Sequence, residues 1–115
     1  MAIATNLQKE NLAAAYGVAA THISLHTADP GTTGADEVTG GAPAYAREAA
    51  SWTAGGVDGV VTATVTFDVP SGVTVTHVGL WDDLTAGNFL DKSTVTSQAF
   101  ASQGTYQVTL TYTQS

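Results

Sequence analysis

The chain has 115 residues, of which 43% are hydrophobic and 11% charged, with a formal net charge of −7. That is the length of one domain (1–115), with apolar content enough for a real core, so composition excludes disorder. With Lys9, Arg47 and Lys92 as the only basic residues, nucleic acid and an anionic membrane surface are excluded as partners, and the absence of cysteine excludes disulfides and thiolate chemistry.

Nineteen threonines and twelve glycines stand where charges usually would, a mixture that favours strands and turns. The opening MAIATNLQKENLAAAYG lacks a basic stretch followed by an unbroken apolar run, so no signal peptide is expected. No run approaches the roughly 18 apolar residues of a membrane span. Thr5 and Gln8 form a capping-box pattern and Gly17 sits where a helix-ending glycine belongs, which predicts a short helix over about 6–16.

From Thr21 the period changes to two. In THISLHT, Ile23 and Leu25 are expected to face the core, with His22, Ser24 and His26 on the polar face. Residues 28–44 hold glycine, proline and polar residues without a period and read as a long surface loop, of the kind that is either functional or mobile. A short strand is expected from Arg47 to Trp52, stopping at Ala54-Gly55-Gly56. The clearest strand is GVVTATVTFDVP, with Val61, Ala63, Val65, Phe67 and Val69 inward and threonines outward. In VTVTHVGLWD the inward face is ambiguous, because Val75, His77 and Trp81 compete with Val78 and Leu80. A turn over Asp82 to Gly87 leads to NFL, and TYQVTLTYT closes the chain with alternating Tyr106, Val108, Leu110 and Tyr112. The fold expected is all-β: an antiparallel β-sandwich, or flattened barrel, with one short N-terminal helix.

Each chemical candidate has a simpler reading. His22 and His26 are spaced as zinc ligands on a helix, but on a strand they stand about 13 Å apart and cannot chelate one ion. Asp29, Asp36 and Glu37 do not have the spacing of a calcium loop, and Asp29-Pro30-Gly31 reads as a turn with glycine at its positive-φ position. Asp82 and Asp83 are neighbours, so they point apart rather than divide acid and base roles, and a solvated turn explains them. Ser24, His77 and an aspartate lack the G-x-S-x-G elbow of a triad. No catalytic, metal or cofactor-binding residue is assigned. At least one of Trp52 and Trp81 is expected in the core; an exposed one would offer a platform for sugar or protein.

The run SLHTADPGTTGADEVTGGAPAYAR resembles the signature of a family of small tailed-phage virion proteins, commonly described as tail fibre or minor tail proteins. The resembling blocks are Ser24 to Gly31, Glu37 to Gly41, Tyr45-Ala46-Arg47 and Trp52, and VTFDVPSGVTVTHVGLWD, GNFL and FASQGTYQVTLTYT extend the likeness over nearly the whole chain from about Asn6. The resemblance implies a non-enzymatic virion structural protein, assembled in the host cytoplasm, that contacts other tail or capsid proteins. It also implies a homo-oligomer, a trimer being one arrangement. Asp29, Pro30, Gly31, Asp36, Glu37, Tyr45, Arg47, Trp52 and Trp81 are the interface candidates, and Arg47 is expected to pair with Glu37. Two other roles stay open at this point: a capsid decoration protein, and a carbohydrate-binding module that reads a host surface glycan through Trp52 or Trp81.

Overall fold

Thr5 opens helix α1 (Asn6–Ala19) by accepting a hydrogen bond from the Gln8 backbone N–H. In the computed structural model, which describes residues 3–54 and 59–114, α1 is followed by β1 (His22–His26), β2 (Glu48–Ala49), β3 (Thr53–Ala54), β4 (Val60–Val69), β5 (Val73–Trp81), β6 (Phe89–Phe100) and β7 (Gly104–Thr113). The helix runs three residues past the expected end. Gly17 does not stop it; glycine is there because the helix crosses Trp52, whose Cβ would lie 3.0 Å from a Cβ at that position. No helix among the described residues is long and apolar enough to cross a membrane.

The strands form two antiparallel sheets ordered β2-β1-β5-β6 and β3-β4-β7, packed as an open sandwich rather than a closed barrel. Strand β4 is as expected: Val61, Ala63, Val65, Phe67 and Val69 are buried, and Thr64 and Thr66 are exposed. Its ten residues pair one to one with β7. Opposite them, Ile23 and Leu25 of β1 and Val75, Val78 and Leu80 of β5 complete the core. Burying each such side chain contributes about 1.5–3 kcal/mol.

The ambiguity in β5 has a geometric cause. The pairing with β6 shifts between Val75 and His77 and again between Leu80 and Trp81. The first irregularity changes the phase, so Val75 and Val78 both reach the core although they are three residues apart. One further expectation is corrected. The strand expected from Arg47 to Trp52 is two short strands in different sheets, because the chain crosses from one layer to the other between Ala49 and Thr53. Of its stop signal only Ala54 is described; Gly55 and Gly56 lie outside the described residues. Residues after Leu90, which show little apolar alternation, form most of the twelve-residue edge strand β6.

Candidate functional site

The polar face expected for β1 is not solvated. Ser24 and His26 are fully buried, because the 28–44 loop folds back over this side of the sheet and makes a second, smaller layer. Strand register places Trp81 beside His22, Gly79 beside Ser24 and His77 beside His26. The protons in this layer can be assigned. The Ala35 carbonyl can only accept, so His26 Nδ1 donates to it at 2.7 Å and Nε2 is left as an acceptor for the Ser24 hydroxyl at 2.7 Å. Ser24 Oγ in turn accepts from Trp81 Nε1–H at 2.8 Å. Tryptophan, serine, neutral histidine and backbone carbonyl thus form one satisfied chain.

Two glycines make room for it. A Cβ on Gly79 would lie 2.6 Å from Ser24 Oγ, 2.7 Å from His26 Nε2 and 2.8 Å from Phe89 Cε1. Gly34, at φ +77°, lets the loop lie flat on Trp81, where a Cβ would overlap the ring atoms Cζ2 and Cη2.

Beside this layer the loop is clamped by charge. Arg47 Nη2 meets Glu37 Oε1 at 3.0 Å, as expected, and Nε donates to Oε2 at 3.0 Å, while Nη1 donates to the carbonyls of Asp83 and Ala86. The guanidinium also lies 3.5 Å from the centre of the Trp81 ring. Tyr45 Oη donates to Glu37 Oε2 at 2.8 Å and accepts from the Leu25 N–H at 3.0 Å, which caps the edge of β1 where β2 has ended. Burial pushes the Tyr45 hydroxyl well above its ordinary pKa, so it stays a donor. Val38 N–H donates to the Leu25 carbonyl, and Val38 itself enters the core. The 28–44 segment is therefore fixed to the sandwich, not a free surface loop.

Its remaining ties are peripheral. Asp29 accepts from Gly31 N–H at 2.8 Å and from Lys92 at 2.6 Å, and these bonds, the lysine first, hold its carboxyl below the usual range. Gly31 has the positive φ expected of the turn. Gln103, from the connection between β6 and β7, accepts from Ala42 N–H and donates to the Pro43 carbonyl. Between the loop and the 82–87 turn lies a groove of about 420 Å³, lined by Val38, Thr39, Tyr45, Arg47, Leu84 and Ala86 among others. Leu84 on its rim is 50% exposed. Among the described residues no group of three or more His, Asp or Glu could hold a metal ion.

A family model described as podophage GP4 fiber I protein gp80 matches residues 5–112. The chain belongs to this family. It is a phage tail-fibre-type protein, with a structural role in the virion in contact with other virion proteins. No curated protein matches the sequence.

In this fibre protein Glu37, Tyr45, Arg47 and Trp81 converge; Asp36 is the exposed residue before Glu37, the turn of Asp29 and Gly31 is tied to Lys92 instead, and Pro30 between them is fully buried. Trp52 stands apart, half-buried beside α1, with Nε1–H donated to the Ala20 carbonyl. Trp81 is buried as well, so neither indole stands out as an open platform. Sequence reasoning set Ser24 and His26 aside as solvated polar-face residues and missed Gly34, Gly79 and Leu84. The one available signal was the glycine in VGLW, which stands directly across from Ser24.

Burial pushes the His26 pKa below its ordinary value, against weaker opposing pulls from the Ala35 carbonyl and Glu37. The unfolded chain therefore takes up a proton first, near pH 6.5, and stability is complete above that value and lost as the pH falls below it. Glu48, whose pKa is raised by burial and by Asp68, acts with the opposite sign at lower pH. Thermal melts should show the midpoint falling between about pH 7.5 and 5.5. A flat midpoint across that window would contradict the buried neutral imidazole.

Proposed function

We propose that the chain is a non-enzymatic minor tail or tail-fibre-associated subunit that works by protein–protein contact, as a homo-oligomer assembled in the host cytoplasm. The observation that carries this is the family match across residues 5–112, almost the full chain. The clamped loop supports it in physical terms. Loops that bind partners gain affinity when their ordering cost is already met, and here Glu37, Arg47, Tyr45 and Gln103 hold the backbone before any partner arrives. The groove between this loop and the 82–87 turn, with Leu84 on its rim, is the surface assigned to the neighbouring virion protein. The Ser24–His26 pair has the spacing of a nucleophile and base, but both residues are sealed from substrate. The fibre family supports the tail over the capsid surface, and two indoles with their N–H groups already used support protein over glycan.

The test is a Leu84→Asp variant, which places a charge on an exposed rim without touching the core. It should melt as the parent does and fail to enter particles in a complementation assay. Normal incorporation would overturn the assignment of this groove.

A further inference from the structure

Every charged residue of the chain precedes residue 93, so β7 carries none and β6 only Asp91 and Lys92. In a molecule of net charge −7, this flank is where a second copy can approach without like-charge repulsion. The four sheet edges also differ in protection. Strands β2 and β3 are two residues long as described, and β6 carries an ion-paired lysine and two register irregularities. Strand β7 has none of these devices: it is ten residues long, regularly paired to β4 on one side, and holds no proline, lysine or bulge. Soluble proteins rarely leave such an edge unpaired.

The sequence of β7 is also self-complementary. Laid antiparallel against itself about Thr109, it sets Thr105 against Thr113, Gln107 against Thr111 and Thr109 against its own copy on the outer face. The inner face then pairs Tyr106 with Tyr112 and Val108 with Leu110. Hydroxyl meets hydroxyl or amide, ring meets ring and aliphatic meets aliphatic, which are the cross-strand pairs that stabilise a sheet. We propose that two copies of this chain pair through β7 across a two-fold axis, joining two three-stranded sheets into one of six strands. This rests on the reading that the fibre protein self-associates, and it names the strand that does so.

Because the chain has no cysteine, one introduced thiol reports on the axis cleanly. The mass of the unmodified protein, measured by light scattering in solution, should be twice the 11.7 kDa of one chain. Under mild oxidation Thr109→Cys should cross-link several-fold faster than Thr64→Cys, an exposed position one strand in from the edge. The double variant Gln107→Lys, Thr109→Lys should run as a monomer. A monomeric parent would overturn both self-association and this edge. An oligomer in which Thr109→Cys cross-links no faster than the control, or a trimeric mass, would overturn the edge alone. Should the double lysine variant fail to fold, the cysteine comparison still decides.

Discussion

Arg47→Ala is expected to lower stability by about 3 kcal/mol, the cost of leaving one partner of a largely buried ion pair without the other. The side chain of Arg47 is 9% exposed and that of Glu37 21%, so solvent can rescue the carboxylate only in part. The arginine also satisfies two carbonyls of the 82–87 turn and covers the Trp81 ring, so its loss frees three elements together. For a domain of this size the midpoint of thermal unfolding should fall by about 12 °C. Arg47→Lys should recover less than half of that, because an ammonium cannot reproduce the planar fork that reaches Glu37 and the turn together. A midpoint within a degree or two of the parent would show that the clamp is ornamental.

Gly79→Ala should be comparably damaging, at about 3 kcal/mol. The added methyl meets Ser24 Oγ, His26 Nε2 and Phe89 Cε1 inside 3 Å, and these atoms sit in a packed layer with no slack. To relieve the overlap, either the strand pairing opens or the Ser24–His26 hydrogen bond breaks, and a buried polar atom is left unsatisfied. The expected signature is a lower midpoint together with a changed Trp81 fluorescence, since the indole N–H is bonded to the displaced serine. An alanine variant with parent-like stability and emission would mean that the outer layer is looser than described.

Much of the sandwich was legible because strands with one buried face announce themselves by alternation, as β4 does residue by residue. The pairing of Arg47 with Glu37 was legible for a different reason: a chain with three cations offers few partners for its loop carboxylates, and the Tyr-Ala-Arg block resembled a known signature. What could not be read was burial on β1's second face. Ser24 and His26 look solvated because alternation assumes one wet side, and nothing local says that a loop from ten residues downstream will cover it. Strand β6 was hidden for the opposite reason. Most of its residues are exposed, so an edge strand of Ser, Thr and Gln has no apolar period to detect. The end of α1 was misplaced by treating Gly17 as a backbone signal, when it serves the close passage of Trp52.

This chain is a fibre-family structural protein, proposed above to meet its neighbours through a pre-ordered loop. A reconstruction of the intact particle at side-chain resolution tests it most directly. Density for this chain is expected on the tail, with the groove between residues 37–47 and the 82–87 turn covered by a neighbouring protein. Density on the capsid surface, or a tail position with that groove open to solvent, would contradict it.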